Sequence, residues 1–215
     1  MSDTLPRLIH GPATATATLL LAHGAGAPMD SPFMEAMAAG LAQRGLRVVR
    51  FEFPYMAQIR RSGQRRPPDR LPRLLEAFRE QVALEAGSAL IIGGKSLGGR
   101  VATLLAAELS DPTPVAGCLC LGYPFHPPGR PTQQRTAHLA TLRTPTLIIQ
   151  GERDPFGRRG EVEAYPLAPA VELHWLPAAD HSFRPSRSSG LSEADHWATA
   201  AAVADRWCRT LPGLG

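Results

Sequence analysis

Short apolar runs alternate with amphipathic stretches along this 215-residue chain, and their order predicts an α/β fold, a mostly parallel central sheet with helices on both faces. Thr18-Leu19-Leu20-Leu21-Ala22 reads as a buried strand running into a glycine loop, His23-Gly24-Ala25-Gly26-Ala27. Phe33, Met37 and Leu41 recur at helical spacing, with Asp30 or Ser31 as cap, Pro32 in the first turn and Gly45 at the end. Val48-Val49-Arg50-Phe51-Glu52-Phe53 is the next strand, stopped by Pro54. Leu71, Leu74, Leu75, Phe78 and Val82 mark a helix that closes at Gly87. The run Ala89-Leu90-Ile91-Ile92-Gly93 is followed by Val101, Leu104 and Leu105 at helical spacing. Val115–Leu121, Thr146–Gln150 and Val171–Leu176 are three further strands. A last helix starts near Ser192, with Trp197, Ala201, Ala204 and Trp207 or Cys208 on its buried side. No repeat or long linker divides the chain, so residues 1–215 are expected to form a single domain.

Composition narrows the setting. No apolar stretch approaches the roughly 20 residues of a membrane helix, so no membrane association is expected. Met1–Pro6 lacks the basic and apolar regions of a leader. Cys118, Cys120 and Cys208 are odd in number, and two share one strand face; they read as reduced core thiols of a cytoplasmic protein, with neither a disulfide set nor a metal site. The net charge of +4 comes almost wholly from arginine, and Lys95 is the only lysine. Arg60, Arg61, Arg65, Arg66, Arg70 and Arg73 cluster after the second core strand, either as a solvated loop or as a steering patch for an anionic substrate. They lack the interleaved aromatics of a nucleic-acid surface, so no nucleic-acid partner is expected.

The chemistry begins at Gly94-Lys95-Ser96-Leu97-Gly98, a serine between two glycines at a strand-to-helix turn. That setting is what a G-x-S-x-G nucleophile elbow requires. A serine hydroxyl needs a base to take its proton, usually a histidine oriented by a carboxylate. On such sheets the acid and then the histidine follow the serine in chain order. Asp154 lies in the turn Gly151-Glu152-Arg153-Asp154 directly after one strand, and His181 lies on the loop after the next. Glu152 is too close to its strand, and Asp180 adjoins His181 and is badly placed to accept from its ring. His174 sits within a strand, and His10, His138 and His196 have no neighbouring signal. The oxyanion hole is expected from the backbone N–H groups of Leu97 and Ala25, with Gly26 as second choice.

With these residues placed, the chain resembles the small lidless α/β-hydrolases. It is most similar to the group joining a testis-expressed protein to a subunit of the nonspecific-lethal chromatin complex. The resemblance is carried by His23-Gly24-Ala25-Gly26, Phe51-Glu52-Phe53-Pro54-Tyr55, Gly93-Gly94-Lys95-Ser96-Leu97-Gly98-Gly99-Arg100, Tyr123-Pro124-Phe125-His126-Pro127-Pro128-Gly129 and Gln150–Gly157. More distantly it resembles dienelactone hydrolases, which carry cysteine where this chain has Ser96. The resemblance implies the α/β-hydrolase fold and the Ser96-Asp154-His181 triad. A cap domain is often inserted after the strand that follows the elbow helix; Tyr123–Thr144 is too short for one, so an open site is expected.

The substrate side is assigned to Gly26, Lys95, Phe125 and His126. Phe125 and His126 follow a strand at the active edge and line the pocket, or else pack over the sheet. Lys95 has three readings: pairing with Glu52 or Asp30 to brace the elbow, presenting positive charge to an anionic substrate, or snorkelling to water. The function expected is a serine esterase without cofactor or metal, acting through an acyl-enzyme on a small-molecule ester of small or medium acyl length, with thioesters next. The alternative is a non-catalytic interaction domain that keeps the fold.

Overall fold

Buried on both faces, the apolar runs become the interior strands of one sheet, as near-continuous hydrophobic strands do in parallel sheets. The computed structural model describes residues 5–85, 89–109 and 115–214. In chain order the elements are β1 (Arg7–His10), β2 (Ala17–Ala22), α1 (Pro32–Ala42), β3 (Arg47–Phe51), α2 (Pro54–Ser62), α3 (Leu71–Ala83) and β4 (Ala89–Lys95). They continue as α4 (Leu97–Glu108), β5 (Val115–Leu121), β6 (Thr146–Gly151), α5 (Arg159–Val162), β7 (Val171–Leu176) and α6 (Glu193–Cys208). The seven strands lie in the order β1-β3-β2-β4-β5-β6-β7, with only β1 antiparallel.

The two-residue period of the strands divides the core. Leu20, Ala22, Ile92, Cys118, Cys120 and Ile148 face α3 and α4, whereas Leu19, Leu21, Ile91, Leu119, Leu121, Leu147 and Ile149 face α1 and α6. The chain turns back at β2, which pairs with β3 on one side and β4 on the other. A crevice opens outside the carboxyl ends of the strands at such a switch point. Between Leu121 and Thr146 the chain makes turns and one 3₁₀ turn at Ala137–Ala140, so among the described residues no cap is inserted there.

Three elements depart from the sequence reading, the single-turn α5 among them. β1 is a four-residue edge strand with partial burial, too short to show a period. α2 begins at Pro54, which the sequence reads as a stop; proline's fixed φ suits the first turn of a helix as well as it ends a strand. The expected helix stop at Gly87 and residues 1–4 of the leader reading lie outside the described residues.

One close approach sets the height of α4. A Cβ at Gly98 would stand 2.5 Å from the Ala22 carbonyl oxygen and 2.7 Å from that of His23. Gly98→Ala is therefore expected to lower stability by about 1–3 kcal/mol, the usual cost of overpacking. Gly160→Ala, on α5 with nothing within 4 Å of the added methyl, should be neutral or slightly stabilising. Urea melts of the two variants check the contrast.

Candidate active site

Ser96 sits between the last residue of β4 and the first of α4, at φ 51° and ψ −109°. Such a backbone costs about 1–3 kcal/mol and persists only where the surroundings enforce it. Here the Ser96 N–H is tied to the Leu121 carbonyl at 3.1 Å and its own carbonyl accepts from Arg100 at 3.0 Å. The Ser96 Oγ lies 2.9 Å from His181 Nε2, and His181 Nδ1 lies 2.7 Å from Asp154 Oδ2. Three residues from the ends of three strands thus form one hydrogen-bonded chain.

Asp154 is fully buried and held at both oxygens. Oδ1 accepts the Phe156 N–H at 2.8 Å, and Oδ2 accepts from Gln150 Nε2 at 2.9 Å as well as from His181. A carboxylate that only accepts leaves the proton on Nδ1 of the neutral ring, so Nε2 offers its lone pair to the Ser96 hydroxyl. Burial draws the His181 pKa down, the Asp154 bond pushes it up, and the Lys95 ammonium draws it down again; the net direction is downward. The ring therefore keeps its basic form into mildly acidic solution.

Lys95 has none of the carboxylate partners expected of it. Arg60 takes both, binding Glu52 at 2.6 Å and Asp30 at 2.9 Å. Lys95 Nζ instead donates to the His181 carbonyl at 2.5 Å and lies 5.5 and 5.6 Å from the ring centres of Phe33 and Phe183. Enclosure brings its pKa down to about 8, against the pull of Asp154 and Asp180. Gly122, at φ +69°, makes room: a Cβ there would meet Nζ at 2.7 Å and the His181 carbonyl at 3.1 Å.

The glycine loop is oriented from below. The Phe53 N–H donates to His23 Nε2 at 3.1 Å, so Nδ1 carries the proton and donates to the Gly24 carbonyl at 2.6 Å. Burial lowers the His23 pKa and keeps this ring neutral. The Tyr55 hydroxyl lies 3.1 Å from both the Gly24 and the Ala25 carbonyl oxygens. In a planar trans peptide the N–H points opposite to the preceding carbonyl. The Ala25 and Gly26 N–H groups are thus turned away from Tyr55. Leu97 opens α4, where the N–H has no partner within the helix.

Above these groups lies a cavity of about 330 Å³. Gly24, Ala25, Gly26, Ala27, Lys95, Ser96 and His181 line it, together with Phe33, Met34 and Phe156. Ala25, Gly26 and Lys95, all singled out from the sequence, thus border the same cavity as Ser96. Phe125 and His126, expected to line the pocket, are not among the lining residues. Phe125 is fully buried against Tyr123 at 4.8 Å, in the core on the α3 and α4 face. His126 is 2% exposed, with Nδ1 2.9 Å from the Pro127 carbonyl. The chain turns down at Gly122 and ties its backbone to Phe156, so the loop fills the core beneath the acid turn. Phe156 lines the cavity instead, its ring tilted against His181 at 4.3 Å.

The passed-over groups have other partners. Glu152 accepts from the Ala178 N–H and Arg159, and Asp180 accepts from the N–H groups of Ser182 and Arg184. His10 meets Glu35, His138 meets Thr103 and His196 meets the Phe183 carbonyl. Among the described residues, no group of three or more His, Cys, Asp or Glu side chains is placed to hold a metal ion. No helix there is long and apolar enough to cross a membrane.

A family model described as an alpha/beta hydrolase domain matches residues 15–209. A dienelactone hydrolase from Anabaena variabilis is similar in structure, with a TM-score of 0.73 at 23% identity over 98% of this chain and 94% of that one. A serine hydrolase homologue from Coxiella burnetii gives 0.71 at 18% identity, over 94% of this chain and 90% of that one. The esterase domain of a Rhodothermus marinus protein gives 0.69 at 17% identity, over 99% of this chain and 100% of that domain. At these identities the likeness is one of fold.

Replacing Lys95 by methionine keeps an unbranched apolar stem beside the two phenyl rings and removes the charge. Because that charge draws the His181 pKa down, Lys95→Met should raise it, leaving less neutral imidazole at any given pH near the midpoint. An NMR titration of the His181 ring reads this directly; an unchanged midpoint would mean that the ammonium exerts no electrostatic hold.

Proposed function

Because the chain belongs to the alpha/beta hydrolase domain family, we propose that it is a serine hydrolase cleaving carboxylic esters through an acyl-enzyme on Ser96. The observation that carries this reading is the unbroken Ser96–His181–Asp154 hydrogen-bond chain opening on a cavity. An interaction domain has no use for all three groups in contact, so the enzyme is the reading we adopt. Within the family we read the chain as kin to the group joining the testis-expressed protein and the chromatin-complex subunit, on the strength of Phe51–Tyr55 and Lys95. We also read it as a cytoplasmic protein that works on small molecules.

In this mechanism the Ser96 Oγ attacks the ester carbonyl carbon while His181 Nε2 takes the hydroxyl proton. Asp154 holds the ring in its Nδ1–H tautomer and offsets the charge of the imidazolium. The oxyanion accepts from the N–H groups of Ala25 and Leu97. Collapse breaks the C–O bond, and His181 returns its proton to the leaving alcohol. Water, deprotonated by the same imidazole, then releases the acid and frees Ser96. The cavity suits acyl groups of small or medium size, as esters first and thioesters second.

A fluorophosphonate probe should label the protein and fail to label Ser96→Ala. Absence of labelling in the folded wild type would sink the reading. Asp154→Asn should lower kcat by roughly 10⁴-fold, because the ring then adopts the wrong tautomer. Tyr55→Phe removes the hydroxyl from beneath the glycine loop; kcat on an aryl ester should fall about 10- to 100-fold with little change in KM. A larger change in KM than in kcat would mean that Tyr55 does not orient the oxyanion donors.

A further inference from the structure

A second recess adjoins the Ser96 cavity, and its chemistry is different. It measures about 510 Å³ and is lined by Ala25, Gly26, Pro28, Met56 and Ile59 and by Glu52, Arg60, Arg65 and Arg66. Ala25 and Gly26 also line the Ser96 cavity, so the two spaces share one rim. Met56, Ile59 and Pro28 give the recess an apolar side, and the arginines give it a charged one.

The arginines differ in what they are free to do. Arg60 is committed to the buried Glu52 and to Asp30, with both carboxylates within 3.0 Å. Arg65 and Arg66 are exposed, and neither has an acidic partner among the described residues. Three arginines thus face two carboxylates, and the surplus positive charge stands at Arg65 and Arg66. The loop that carries them is anchored at both ends. Gly63 caps α2 with a 2.7 Å bond to the Ile59 carbonyl, and Asp69 accepts the Tyr55 N–H at 2.8 Å. Pro67 and Pro68 stiffen the span between.

We propose that this recess binds the far end of the substrate, and that the enzyme prefers esters carrying a carboxylate or phosphate at the end of a short apolar stem. The stem lies over Met56 and Ile59, and the anion meets the two guanidinium groups, which suit such oxygens as forked donors. This inference rests on the hydrolase reading above and adds the substrate class.

Two matched pairs of esters test it and tell which end of the substrate is charged. On the acyl side, 4-nitrophenyl hydrogen adipate is compared with 4-nitrophenyl hexanoate. On the alcohol side, 4-carboxyphenyl hexanoate is compared with 4-carbamoylphenyl hexanoate. In one pair the anionic member should be favoured roughly 5- to 10-fold in kcat/KM, through KM, as two exposed charge pairs allow. The preference should collapse in about 0.5 M salt. The double variant Arg65→Gln/Arg66→Gln should bring the ratio near one. Arg143→Gln, an exposed site at the opposite edge of the sheet, should leave the ratio where it was. Hydrolysis without an anionic preference in either pair, or a preference that survives the double variant, overturns this inference alone. A protein that neither turns over any of the four esters nor reacts with the fluorophosphonate overturns the hydrolase reading, and this inference with it.

Discussion

Everything at the site depends on how closely α4 can approach the ends of β2 and β4. Glycine at 94 and 98 brings the first turn of the helix onto the Ala22 and His23 carbonyls, where any Cβ would collide. The chain must then reverse within one residue, and Ser96 takes the strained backbone that results. Its hydroxyl is left standing at the switch point of the sheet, where the crevice already lies. The strain is local and small beside the burial of two faces of a seven-stranded sheet, so the fold can hold it.

The opposite half of the site is a matter of grip. His181 is held at Nδ1 by Asp154, at its carbonyl by Lys95 and across its ring by Phe156. The lysine ends the strand that leads into Ser96, so Ser96 and His181 are joined through it as well as through their own hydrogen bond. A chain that otherwise uses arginine has a physical reason to keep lysine here. The niche beside the packed Phe33 and Phe183 rings offers the His181 carbonyl as acceptor, which suits a compact ammonium and would leave most of a guanidinium's five donors without partners.

Much of this could be read from the residues, for identifiable reasons. Ser96, Asp154 and His181 each close or follow an apolar run, and parallel strands bring their carboxyl ends to one edge whatever the packing between them. The alternation of apolar runs and amphipathic stretches likewise predicts a mostly parallel sheet with helices on both faces, but says nothing of the order in which its strands lie. Neighbourhood in sequence fails where the chain reverses. Phe125 and His126 follow a strand at the active edge, yet the left-handed backbone at Gly122 turns them into the core. Phe33 and Phe156 reach the cavity through side-chain directions that no period encodes. Pro54 signals an end or a beginning equally well, and β1 is too short to carry a pattern. The bond from Lys95 to a backbone carbonyl 86 residues away has no signature in composition at all.

The same long spacing bears on how the molecule comes into being. Ser96 and His181 are 85 residues apart and Asp154 is 27 from His181, each on a different strand end. Synthesised from the amino terminus, the chain completes its elbow while the histidine loop has yet to be made. The Ser96 hydroxyl therefore has no imidazole to bond with until late in elongation. It meets the His181 ring only when β7, an edge strand, docks beside β6. Completing that sheet edge and closing the Ser96–His181–Asp154 hydrogen-bond chain are one event, which no chain ending short of His181 can reach.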